Sequence, residues 1–197
     1  MNSTVRKVFF VLVLAILSVG GIFAQTWYES YAPAVDDNTL FVNAGIGLGP
    51  AGGWDMGIPP LSVCVDYKLP IDLPITVGGI VTFTTWKGRV NTSTTSVIMT
   101  DITIINIGFS ASGKYHFNFW DNLDTYAGVI LGYVYQSGKI EISNGYGDHY
   151  TFDRGKSFSH WGINIGARYF FTDLIGAYME LEYNGLQFAG IGLSLKF

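Results

Sequence analysis

Cysteine is almost missing from this 197-residue chain: Cys64 stands alone, so no intramolecular disulfide can staple the fold. Charge is scarce too, at 13% of residues, and the balance leans acidic, with 11 Lys and Arg against 15 Asp and Glu. Without a basic surplus, no nucleic-acid partner is expected. No Pro/Ser-rich linker and no charge run divides the sequence, which is of a length that suits one domain. Also lacking in the body of the chain is any long stretch with the 3.6-residue period of an amphipathic helix. What remains is rich in aromatics, at 16%, and in glycine, with 25 residues, a mix at odds with an ordinary soluble domain.

The N-terminus carries the one uninterrupted apolar run. Arg6 and Lys7 precede residues 8–17, all apolar; Ser18, Gly20 and Gly21 follow, and Ala24 stands before Gln25. That is the order of a secretory signal peptide. An uncleaved anchor is the alternative, but residues 8–24 number only about 17, at the short end of what spans a bilayer. Cleavage is therefore expected after residue 24, leaving a lead-in over 25–38 and a domain over 39–197. No cysteine lies near the cleavage point, so the lipoprotein route is not expected.

The body of the chain alternates by two residues almost throughout, which predicts eight strands at about 39–49, 60–69, 74–86, 103–117, 123–137, 157–171, 175–183 and 187–197. One parity is aliphatic and aromatic, running from Leu40, Val42 and Ala44 through Val129, Leu131 and Tyr133 to Leu193, Leu195 and Phe197. The other is mostly Gly, Ser and Asn. A soluble barrel would give that second face to water and stock it with long charged side chains. Small residues instead suit the interior of a narrow barrel, and a charge-free aliphatic face suits lipid. Lipid-facing aromatics should then gather at two heights. With strands running alternately up and down, Tyr115, Phe117, Tyr169, Phe171 and Phe197 fall at one end and Phe83, Tyr133, Tyr135, Trp161 and Tyr183 at the other. The connections at one end, near 70–73, 118–122 and 172–174, are short; those at the other, near 50–59, 87–102 and 138–156, are long. An all-β, eight-stranded antiparallel up-and-down transmembrane β-barrel is the fold class these patterns predict.

Residues 161–183 (WGINIGARYFFTDLIGAYMELEY), closing on residues 190–197 (GIGLSLKF), resemble the C-terminal half of the small outer-membrane β-barrel family, the OmpA-like transmembrane or porin-family domain. Residues 124–133 (DTYAGVILGY) resemble that family's central hairpin. The resemblance implies residence in the outer membrane, lipid around the barrel, and the barrel assembly machinery as partner during biogenesis. Gly192, Leu195 and Phe197 match the family's terminal-strand assembly signal.

On the interior parity, Asp66, Glu180 and Glu182 accompany Lys68, Lys114, Arg168 and Lys196. Eight strands leave room only for side chains, so these groups are expected to neutralise one another as a plug. The third long connection, with Tyr146, His149, Tyr150 and Phe152, is the expected interaction surface for an extracellular or host ligand. No catalytic group stands out: His116 shares a face with Ser112, but no local motif assembles a triad, and the chain is not expected to be an enzyme. Asp148, His149 and Asp153 match no metal-ligand spacing, and Gly45, Gly47 and Gly49 precede Pro50 rather than a helix, so neither a metal nor any other cofactor is expected. Three functions fit: a structural or adhesin-like surface barrel, a small porin or transporter, and a soluble exported ligand-binding barrel.

Overall fold

The computed structural model describes residues 35–49, 55–92, 98–120, 122–144 and 149–197. Eight strands follow in chain order: β1 (Leu40–Leu48), β2 (Asp55–Lys68), β3 (Ile75–Thr92), β4 (Ile98–Trp120), β5 (Leu123–Asn144), β6 (His149–Phe170), β7 (Ile175–Tyr183) and β8 (Ala189–Lys196). Each pairs antiparallel with the next, and β1 closes on β8 from Phe41 opposite Lys196 to Leu48 opposite Ala189. The all-β, eight-stranded barrel expected from the alternation is the fold observed. Closure removes every sheet edge at the level where all eight strands meet.

The registers of β3 with β4 and of β5 with β6 run without interruption. The ladder of β4 with β5 slips only near the turn, between Asn118 and Trp120. In β2 the ladder slips twice, between Met56 and Leu61, where Pro59 and Pro60 offer no N–H to β3. The tight turns have local causes. Thr172 Oγ1 accepts the amides of Leu174 (3.3 Å) and Ile175 (2.9 Å), while Asn122 takes a positive φ of 64° before β5.

Five strands outrun their expected lengths: β2 begins at Asp55 rather than 60, and β3 to β6 depart further. The apolar–polar alternation predicts that β3 ends at 86, β4 begins at 103, β5 ends at 137 and β6 begins at 157. The structure instead carries all four well past those points, so most of the stretches 87–102 and 138–156 are strand rather than loop. The reason lies in what fills each face. Beyond Tyr135 and Trp161 the outward parity turns polar, with Lys87, Asp101, Lys139, Glu141 and Asp153, and the period-two pattern continues with its faces exchanged. A reading that required an apolar outward face stops where the alternation does not.

Candidate functional site

The outer surface defines the class of protein. Leu131, Met179, Leu181, Ile191 and Leu193 are all exposed, and Trp161 reaches 69% exposure. Among the ten girdle aromatics, Tyr133, Tyr135, Trp161 and Tyr183 are exposed at one end of this band, and Tyr115, Tyr169, Phe171 and Phe197 at the other. Tyr115 packs on Phe117 with ring centroids 5.0 Å apart, and Tyr169 on Phe171 at 5.8 Å. Water would penalise such a belt, whereas hydrocarbon would not, and a closed barrel leaves no backbone group in the belt without a partner. These features are those of an outer-membrane-type β-barrel.

Inside, the polar parity converges on one network drawn from every strand but β8. Asp66 of β2 holds Lys114 of β4 at 2.8 Å and also pairs with Arg168 of β6. The Arg168 guanidinium reaches Asp124 of β5 at 3.1 Å. It lies between two rings, Phe41 of β1 at 4.4 Å and Tyr126 of β5 at 4.5 Å. Glu180 of β7 accepts the Tyr126 hydroxyl at 2.8 Å and the Asn164 amide at 3.0 Å, with Lys114 at 3.9 Å. Asp66, Lys114, Asp124 and Arg168 are all sealed from solvent. Glycines make room for the bulk: a Cβ on Gly166 would come 2.6 Å from Cζ of Tyr126. Each charge meets a counter-charge, as burial in a low dielectric requires.

Of the expected interior charges, the structure brings Asp66, Lys114, Arg168 and Glu180 together in this network. Asp124, Tyr126 and His116 belong to it and were not among the expected members. Asp124 bridges Arg168 and His116, with its carboxylate 2.6 Å from His116 Nδ1. Tyr178 stands opposite Arg168 and Glu180 lies two residues along the same strand, but the guanidinium turns to Asp66 and Asp124. Lys68 sits apart, with its ammonium on Asp37 (2.9 Å) and on the carbonyls of Leu69 and Ile71. Lys196 is half-buried, its ammonium 5.7 Å from the Phe170 ring. Thr76 Oγ1 lies 2.9 Å from His116 Nε2, so Thr76, His116 and Asp124 form a hydroxyl–imidazole–carboxylate string. All three are buried, and the string ties β3, β4 and β5 together.

Both mouths are filled. At the end reached by residues 35–38, Val35 packs with Phe41 and Phe170, and Tyr67 donates to Asn38 at 2.8 Å. At the far end, the turn from β7 to β8 folds inward. Asn184 Oδ1 accepts the amides of Leu186 (2.8 Å) and Gln187 (3.1 Å), Gly185 takes φ +86°, and Glu182 accepts from the side-chain amides of Asn184 and Gln187. Leu186 is only 5% exposed and sits over Gly108, while Trp86 lies against Gly49. Glu182 thus holds this stopper, one step along β7 from Glu180 of the central cluster.

Beyond the far girdle, β3, β4, β5 and β6 rise as a four-stranded sheet. From Tyr135 to Asn144 it stands about 30 Å along the strand, at roughly 3.3 Å per residue. Of the expected loop contacts, Tyr146 lies outside the described residues. His149, Tyr150 and Phe152 belong to β6 itself, and Tyr150 is exposed. On the outward face Lys139 pairs with Glu141 at 2.6 Å, which raises the lysine's pKa.

No protein-family model matches the chain, and no characterised sequence does. Solved structures similar to it include the N-terminal β-barrel domain of Pseudomonas aeruginosa OprF, at 16% identity and TM-score 0.41, covering 82% of this chain and 98% of that one. Another is Ail, the attachment invasion locus protein of Yersinia pestis, at 13% and 0.42, covering 82% and 96%. Neisserial surface protein A matches at 16% and 0.42, covering 81% and 96%.

Proposed function

We propose that the protein is exported by residues 1–24 and works as an integral outer-membrane barrel whose interior is structural and whose activity is contact at the cell surface. The observation that carries this reading is the contrast between the two ends of the molecule's polar chemistry. The lumen is filled by paired charges and stoppered at both mouths, while four contiguous strands project beyond the outer girdle and offer their faces to the surroundings. A pore needs a continuous polar path, and the central cluster blocks it. The raised sheet is the part left to meet an extracellular or host ligand. Biogenesis on this reading uses Gly192, Leu195 and Phe197 as the signal to the assembly machinery.

Membrane fractionation followed by gel migration with and without boiling tests the reading. A membrane-bound species whose mobility changes on heating is expected. Recovery from the soluble periplasm with no mobility change would sink it.

A further inference from the structure

Past the outer girdle the two faces of the raised sheet exchange character. The registers of β3 through β6 run there without a bulge, so the parity that faces the lumen below continues as the inner face above. On that inner face Ile102, Ile104 and Ile140 are half-buried, and the stoppered mouth at Trp86 and Leu186 closes its lower end. Among the described residues the strands opposite stop short: β7 ends at Tyr183 and β8 begins at Ala189, so no described strand faces the raised sheet from that side.

Two observations give this recess a specific shape and charge. Ile104, Gly138 and Arg154 share one cross-strand row, and a Cβ on Gly138 would meet only the Arg154 carbonyl, at 3.6 Å. The missing side chain therefore leaves a slot one residue wide between Ile104 and Arg154. The faces differ in charge as well, the outward one mixing Lys87 and Lys139 with acids and the inner one carrying cations alone among the described residues. Among the described residues of this sheet, the acids Asp101, Glu141 and Asp153 lie on the outward parity, whereas Arg154 and Lys156 lie on the inner one, both exposed and neither in an ion pair.

We infer that this recess binds a single-chain lipid with an anionic headgroup, the hydrocarbon lying in the Gly138 slot against Ile102, Ile104 and Ile140 and the headgroup meeting Arg154 and Lys156. A hydrocarbon chain fits the face better than a peptide does. The backbone groups of β4 and β5 are paired on both sides, so the face offers only side chains, and a peptide's amides laid on it would lose their hydrogen bonds. The cations, lacking partners on their own face, supply the attraction for a carboxylate or phosphate.

The inference rests on the raised sheet standing outside the bilayer, and the test separates the two. The full chain is placed in phosphatidylcholine nanodiscs and titrated with dodecanoate and, in parallel, with uncharged dodecanol, against empty nanodiscs. Saturable dodecanoate uptake beyond the empty discs is expected. Gly138→Val, a residue at home in a strand, should fill the slot and weaken uptake of both probes by about tenfold. Arg154→Ala with Lys156→Ala should weaken dodecanoate by about tenfold, equivalent to about 1.4 kcal/mol, and leave dodecanol unchanged. Lys139→Ala with Glu141→Ala, on the opposite face, should change neither. Uptake no greater than that of empty discs, or indifferent to Gly138→Val, overturns the inference while the heat-dependent gel shift still stands. Loss of that shift in the parent chain overturns the membrane reading with it. Dimeric mass without dodecanoate uptake would assign the recess to a second copy and likewise overturn it.

Discussion

Arg168 joins two carboxylates that the chain keeps far apart, Asp66 on β2 and Asp124 on β5, and is held between two rings while doing so. Arg168→Ala leaves Asp66 and Asp124 short of a cation in a sealed interior, and breaking a buried pair in this way costs about 3–5 kcal/mol. Urea unfolding in lipid vesicles should register the loss. Gly166→Val should be costly as well, because its Cβ would meet the Tyr126 ring that covers Arg168, and the variant should unfold at lower urea. A Gly113→Ala change serves as the control, since nothing lies within 4 Å of a Cβ there. At this scale the sequence was legible by parity alone: Asp66, Lys114, Arg168 and Glu180 are all inside. Which charge meets which was not legible. Alternation assigns a side chain to a face but not the direction in which a long one reaches, so Arg168 reads as a neighbour of Glu180 until the rotamer is seen. Asp124 shares its parity with Gly128, yet a carboxylate just past a turn reads as solvated.

Among the elements, β8 is followed directly by a residue that is fixed at its backbone and exposed at its side chain. Phe197 exchanges two hydrogen bonds of 2.9 Å with Leu40 of β1 while its ring stands 63% exposed in the lower girdle. Phe197→Ser removes the ring and keeps both bonds. Surface levels should fall if the ring is read during assembly, and unchanged levels would leave it a membrane anchor only. β3 to β6 teach a different lesson about legibility. Their alternation is continuous in the sequence, but the outward side chains change from aliphatic to charged at the level of Tyr135, and a criterion tied to lipid cannot follow a strand out of the membrane. The inward folding of the β7–β8 turn was also hidden. Asn184-Gly185 is a hairpin signal in the letters alone, and the β7–β8 ladder is observed up to Leu181 opposite Ala189. Nothing in those letters says that Leu186 turns into the mouth.

For the whole molecule, the filled lumen sets an expectation for ion flow. Planar-bilayer recording on the purified protein should show no steady conductance, and Arg168→Ala should not open a regular one, because Leu186 and Trp86 still cover one mouth and Val35 the other. Reproducible conductance sensitive to Arg168→Ala would count against the closed interior and in favour of the small-porin reading. Girdles, belt and strand number could be read from the sequence because lipid imposes them on every strand alike. The stoppers could not, because each depends on one local turn.

Seven of the eight strand pairings join neighbours in sequence; the eighth, β1 with β8, joins the two ends of the barrel. That seam also places glycine against glycine, Gly45 opposite Gly192 and Gly47 opposite Gly190. The hairpins therefore form at little cost in loop entropy, while the seam alone must wait for nearly the whole chain to be in place, and at its two glycine pairs it gains no cross-strand side-chain contact when it closes. Time-resolved refolding into vesicles should accordingly find the β4–β5 ladder protected from hydrogen exchange before the seam, with the zip from Phe41 to Leu48 as the slow, final event.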